Sequence, residues 1–224
     1  MAKRLNIGID MDGVLADFVG QARKVCQQLF NGRPADNLIQ TTWAFESLGI
    51  TKEEENLLWR EIDSRPNWWL NCLHKLPQTD LLMPLYEKHR LIFITNRKDG
   101  TNPASWPIEL QTAEWLRRQF HIYQPNVIIS DCKGPLLGGL KLDYFIDDRP
   151  KNHLEAIDYA SDHDLDTICV FLEGTYNKEY IYPYRVKSFN EFAKVILEEK
   201  GEFKPVYQTD PETYLNNLKT NWSK

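Results

Sequence analysis

The sequence predicts an α/β fold: a parallel sheet with helices on both faces and a small helical segment inserted after the first strand. Three observations carry that expectation. Short apolar runs that end in polar residues recur along the chain, as in Leu5–Ile9 and Leu91–Ile94, and suit strands buried on both faces. From residue 77 on, apolar runs alternate with stretches of helical periodicity, which implies parallel strands joined by right-handed crossovers. Residues 19–76 show helical patterns without a strand, which marks the insertion.

The elements follow in order. After the first strand, Val19, Ala22, Val25, Cys26 and Leu29 recur at helical spacing, and Asn31-Gly32-Arg33-Pro34 ends that helix. Thr51 with Glu54 has capping-box spacing and opens a second helix, carried by Leu57, Leu58 and Ile62. Trp68-Trp69-Leu70 reads as a short connector. A helix from near Thr79 leads into a second strand, Arg90–Thr95, and a loop rich in Gly, Asn and Pro covers 98–107. A helix over 108–120 precedes a third strand at 126–130, and a fourth strand spans 144–148. A helix through Leu154–Tyr159, a fifth strand at 167–172 and a helix from Ser188 to about Lys200 complete the pattern. The expected organisation is a core of residues 1–18 and 77–200, a helical cap of 19–76, and an extension, 201–224, that carries no readable motif.

The 224 residues, 42% of them hydrophobic, suffice for one core with a modest insertion. A net charge of −5 argues against binding long nucleic acid but leaves single nucleotides open. Cys26, Cys72, Cys132 and Cys169 are scattered, which fits a reduced protein without zinc or disulfides. No apolar run is long enough to span a bilayer and the first strand follows the start directly, so a soluble, cytoplasmic protein is expected. The five histidines show no ligand spacing.

The first strand ends in Asp10-Met11-Asp12-Gly13. Residues i and i+2 of an extended segment point the same way, so both carboxylates leave the strand's carboxyl end, where open α/β sheets bind ligands. Their repulsion calls for a cation or a shared proton, and Mg²⁺ is the simplest answer. The second strand ends in Thr95-Asn96, the fourth in Asp147-Asp148, and Lys133 sits just after the third.

In this order the four groups resemble the motifs of the haloacid dehalogenase (HAD) superfamily of phosphotransferases, whose Rossmann-like core the chain would share. Within it, Asp10–Phe18, Phe-Ile-Asp147-Asp148-Arg-Pro and the placement of the cap resemble the 5′(3′)-deoxyribonucleotidases. Where that branch has Thr-Ser and Arg-Asp-Lys, this chain has Thr95-Asn96 and Asp131-Cys132-Lys133, so reaction type is better constrained than substrate.

The resemblance implies a Mg²⁺-dependent phosphatase of nucleoside monophosphates. Asp10 would be the nucleophile, forming an aspartyl-phosphate, and Asp12 the general acid and base. Lys133 and Thr95, with Asn96, would hold the phosphoryl oxygens, Lys141 being a rival for the lysine role. Asp10, the backbone carbonyl of Asp12 and Asp148 would hold the metal, with Asp147 behind them. Phe18 and Trp43 are candidates for stacking on the base, in a chain whose tryptophans Trp43, Trp59, Trp68 and Trp69 cluster before residue 75. A carboxylate at position 12 also disfavours the dehalogenases, which need no acid there, and the transport ATPases, which carry threonine. Another small phosphomonoester, or a 3′-phosphate at a nucleic-acid end, is the alternative substrate, and a non-catalytic nucleotide-binding protein the alternative class. A homodimer stays open as the assembly.

Overall fold

The computed structural model describes residues 3–42, 45–178, 180, 182, 184–198 and 203. Its sheet is built from β1 (Asn6–Asp10), β2 (Arg90–Thr95), β3 (Asn126–Ile129), β4 (Tyr144–Asp147), β5 (Ile168–Leu172) and β6 (Arg185–Val186). All neighbours pair in parallel, in the order β3-β2-β1-β4-β5-β6. The chain winds outward from β1 to β3, returns to β1's other side at β4, and winds outward again. The reversal therefore falls between β1 and β4, and a crevice opens above their carboxyl ends. The register Ile9↔Ile146 sets Asp10 and Asp147 side by side at that crevice.

Alternation along the strands decides which helices cover which face. Leu91 and Phe93 of β2 pack with α4 (Leu82–Lys88), α5 (Ile108–Phe120) and α8 (Phe189–Leu197) through Leu82, Leu85, Trp115, Leu116 and Phe192. Ile92 and Ile94 face the opposite way, with α6 (Gly134–Gly139) and α7 (Pro150–Asp162) through Leu137, Ala156 and Ile157. Gly8 lies on this second face, where a Cβ would come within 2.6 Å of the Leu142 side chain.

Between β1 and α4 run α1 (Phe18–Leu29), a 3₁₀ turn at Phe45–Leu48, α2 (Lys52–Ser64) and α3 (Trp68–Asn71). Asp17 caps α1 by accepting from the Gly20 N–H at 2.9 Å, and the Thr51–Glu54 capping box of α2 forms as its spacing predicts. The excursion leaves and returns through paired backbone: Ala16 bridges Lys75, Asp17 N–H donates to His74 C=O, and Leu76 N–H donates to Leu15 C=O. At α8, Ser188 accepts from Glu191 N–H, but the Glu191 carboxylate takes the Lys187 N–H instead of closing the box on Ser188.

The structure departs from the sequence reading at small elements. Trp68-Trp69-Leu70 is a helical turn, and α6 and β6 occur where no element was expected. The helix predicted over 154–159 begins earlier, at Pro150, whose ring suits a first helical position. The extension 201–224 lies outside the described residues apart from Phe203, whose ring packs on Tyr144 and Phe192.

Candidate active site

Asp10, Asp12, Phe18, Thr95, Asn96 and Lys133 line one cavity of about 630 Å³ above the carboxyl ends of β1 and β2. That volume lies within the ~300–1,000 Å³ usual for small-molecule sites. Trp43 lies outside the described residues.

Asp10 joins the lining to a buried cluster in which Asp10, Asp147 and Asp148 each present a carboxylate oxygen within 4.8 Å of the others. Lys133, 1% exposed, donates to Asp10 Oδ1 and, at 2.6 Å, to Asp147 Oδ2. Asp147 is further engaged through the Arg149 N–H at 2.8 Å and the Asn152 amide at 3.2 Å. Asp148 accepts from the Tyr176 hydroxyl on Oδ2, while its buried Oδ1 has no hydrogen-bond partner among the described residues. Gly13 closes over this group with φ +89°, and a Cβ there would stand 1.9 Å from Asp148 Oδ2. Lys141, the rival lysine, is exposed on the turn before β4, so the ammonium among the carboxylates is that of Lys133.

Among the described residues Lys133 is the one ammonium bonded within this carboxylate group, and burial raises the carboxyls of Asp10 and Asp148 in spite of it. Burial, then repulsion from Asp147 and Asp12, outweighs Lys133 and pushes the Asp10 carboxyl up to about 7. Asp148 is raised well above the usual carboxylate range, by burial first and then by Asp10 and Asp147. Burial works against the Lys133 charge, yet Asp10 and Asp147 hold it above the ordinary lysine value. The acceptor set is all oxygen, over-negative and carries one unused buried lone-pair site, which suits a hard divalent cation.

Asp10 and Asp12, which the sequence reading places side by side at the end of β1, have different cationic partners in the structure, Lys133 for Asp10 and Arg97 for Asp12. Asp12 takes a two-pronged ion pair from Arg97, at 2.7 and 2.9 Å, and Thr95 Oγ1 lies 3.4 Å from its Oδ2. Neither Arg97 nor Tyr176 was singled out from the sequence. Arg97 stands one residue beyond Asn96 in the polar cluster that ends β2, which was the available signal; Tyr176 follows β5 in a loop that offers none.

The aromatic cluster divides. Trp68 is core, while Phe18, Trp59 and Trp69 line the cavity wall. Phe18 stacks on Trp59 (ring centres 5.5 Å apart, 14° between planes) and on Trp69 (5.7 Å, 16°). Lys52, Lys98 and Arg149 add cations to the lining, and Glu46, Glu55 and Asp63 add carboxylates.

Among solved structures the chain is similar to a HAD family hydrolase from Deinococcus radiodurans, determined with bound phosphate and sodium (TM-score 0.53, 10% identity, 92% of this chain and 100% of that one). It is also similar to a HAD-superfamily hydrolase, subfamily IA, variant 1, from Geobacter sulfurreducens (TM-score 0.50, 12% identity, 86% and 96%). At these identities the likeness is one of fold. No curated protein sequence matches the chain. Among the described residues no helix is long and apolar enough to cross a membrane. Residues 3–201 match the family model described as 5′ nucleotidase, deoxy (Pyrimidine), cytosolic type C protein, and the chain therefore belongs to this 5′-nucleotidase family, on the fold of the HAD hydrolases.

Proposed function

We propose that the protein is a Mg²⁺-dependent phosphatase of nucleoside monophosphates, deoxyribonucleotides preferred, acting through an aspartyl-phosphate on Asp10. The observation that carries this reading is the convergence of Asp10, Lys133, Thr95 and Asn96 on one cavity, with Asp147 and Asp148 clustered behind Asp10. Asp10, Asp148 and the backbone carbonyl of Asp12 would hold the metal, and Asp147, already engaged by Lys133, Arg149 and Asn152, would stand behind them. Bound there, the ion supplies charge to offset an anionic nucleophile meeting an anionic phosphate.

The chain's own residues carry the rest. An Asp10 oxygen bonds to phosphorus as the ester oxygen leaves, and Asp12 gives that oxygen a proton. Asp12 then takes a proton from a water that attacks the aspartyl-phosphate, releasing phosphate and restoring Asp10. Lys133, the Thr95 hydroxyl and Asn96 hold the non-bridging oxygens. Phe18, Trp59 and Trp69 would form the aromatic wall against the base, with Trp43 as a further candidate, and residues 19–76 would serve as the cap over the core of 1–18 and 77–200.

The test is phosphate release from 5′- and 3′-(deoxy)nucleoside monophosphates and sugar phosphates, with Mg²⁺ and with EDTA. Metal-dependent turnover concentrated on deoxynucleotides is expected. Turnover confined to sugar phosphates would refute the substrate, and turnover indifferent to EDTA would refute the metal. Trp59→Ala should raise KM for nucleotides roughly tenfold, since stacking is worth about 1–3 kcal/mol per base, and raise KM for p-nitrophenyl phosphate less. Equal shifts for both substrates would argue against the stacking role.

Metal binding should itself depend on pH. With Asp10 pushed up to about 7, protons compete for the site at pH 5 and hardly at pH 8. The rise in Tm on adding Mg²⁺ should therefore be larger at pH 8, and thermal scans giving the same rise at both values would contradict this.

A further inference from the structure

We propose that Arg97 is a positioning residue for Asp12, fixing the orientation from which that carboxylate exchanges protons with the leaving oxygen and the attacking water. The inference rests on the reading of Asp12 as general acid and base. Asp12 is 16% exposed at its side chain and lines the cavity, whereas the Arg97 side chain is fully buried and is not among the cavity's lining residues. Arg97 can thus reach the chemistry only through its partner.

The contact is two-pronged: Arg97 Nη2 donates to Asp12 Oδ1 at 2.7 Å and Nε to Oδ2 at 2.9 Å. A single hydrogen bond leaves a carboxylate free to rotate, but a planar fork matched to both oxygens sets its plane as well as its position. The fork is itself held. Nη1 donates to Thr112 Oγ1 on α5 at 3.2 Å, and the guanidinium lies 5.1 Å from the Trp69 ring and 5.9 Å from the Trp115 ring. Three segments therefore fix one cation: the stretch just after β2 supplies its backbone, α5 a hydroxyl and a ring, and α3 a second ring. Burying a guanidinium is costly, and an apolar side chain would fill this space at lower cost. What the arginine adds is orientation, and a proton-transfer group must lie within hydrogen-bond reach of its target.

The test separates proton donation from folding by leaving group. Phosphoenzyme formation is followed in single turnovers of a deoxynucleoside monophosphate, whose sugar oxygen needs a proton to leave, and of p-nitrophenyl phosphate, whose phenolate does not. Arg97→Gln should slow the nucleotide reaction about 100-fold and the p-nitrophenyl reaction less than tenfold. Asp12→Asn should show the same contrast, and adding Arg97→Gln to it should cost nothing further. Arg97→Lys, which keeps the charge and loses the fork, should stay impaired. Equal losses on both substrates, additive losses in the double variant, or full activity in Arg97→Lys would each overturn the proposal. Should Arg97→Gln not fold, Thr112→Val removes one anchor and leaves the ion pair. A several-fold loss confined to the nucleotide would support the proposal, and no such loss would overturn it. If Asp12→Asn itself slows both substrates equally, the acid–base reading of Asp12 fails; if only the arginine variants lack the contrast, that reading stands and the role of Arg97 falls.

Discussion

Asp10→Asn abolishes phosphate release, by at least about 10⁴-fold, while leaving the protein folded. The two halves of this expectation have different origins. Asparagine has nearly the shape of aspartate, and the position lies at the end of a strand bonded on both sides, so the backbone has no reason to move. An amide, however, does not attack phosphorus under conditions where a carboxylate does, and the aspartyl-phosphate cannot form. The stability side has a sign that can be worked out. The Asp10 carboxyl is pushed up to about 7 in the folded protein, chiefly by burial, against a normal carboxylate value when unfolded. The folded state therefore binds the extra proton, and this group's contribution to stability is full below about pH 4 and lost as pH rises towards 7. Asparagine cannot ionise, so the variant should lose less stability between pH 5 and pH 8 than the parent does without metal. Lys133 keeps Asp147 as its partner in the variant, which limits the cost of losing Asp10. Phosphate assays and thermal scans at the two pH values check both halves. Turnover above about one per cent of the parent's would eliminate Asp10 as nucleophile.

The placement of Asp10 was legible in the sequence for a local reason, while its role as nucleophile is what the family resemblance implies. An apolar strand that stops in Asp-x-Asp-Gly announces both its own end and the direction of its side chains, and the same logic placed Thr95 and Asp147-Asp148 at neighbouring strand ends. The parallel order followed from helices alternating with strands. What stayed hidden depends on contacts between distant segments. Arg97 is separated from Asp12 by most of the first half of the chain, and nothing in Thr-Asn-Arg-Lys says that the guanidinium turns inward between Trp69 and Trp115. Tyr176 meets Asp148 from a loop after β5 whose own sequence is unremarkable. The helix α6, Gly-Pro-Leu-Leu-Gly-Gly, has poor helix propensity and forms because Leu137 is buried against the sheet, a tertiary effect that periodicity over so few residues does not reveal. The two-residue β6 exists only as an edge partner of β5. The tryptophans were legible as a cluster but not as a division of labour, since Trp68 and its neighbour Trp69 differ only in which way the turn of α3 points them.

Lys133→Met tests the electrostatics of the buried carboxylate cluster directly, and its effect should fall on activity and stability together. Methionine fills similar space without charge, so the principal change is the loss of the one ammonium among three buried carboxylates. Breaking a buried ion pair by removing one partner costs about 3–5 kcal/mol, because the charge left behind has neither water nor a counterion. The cost must vary with pH. Lys133 lowers the pKa of both Asp10 and Asp148, so without it these carboxyls move further up from values that burial has already raised. Raised carboxyls contribute stability that is present at low pH and lost as pH rises through their folded values, so the deficit against the parent should be small near pH 5 and largest at pH 8. Mg²⁺ should recover part of the deficit at pH 8, since the ion offers the same carboxylates a different positive charge. It should not recover turnover, which is expected to fall about 10²–10³-fold for loss of one charged contact to the transferring phosphoryl group. Thermal scans at the two pH values, with and without Mg²⁺, and phosphate assays measure each effect. A deficit as large at pH 5 as at pH 8 would mean that Lys133 matters for packing and not for charge. Full turnover would remove it from the phosphate site, even though its ammonium sits between Asp10 and Asp147.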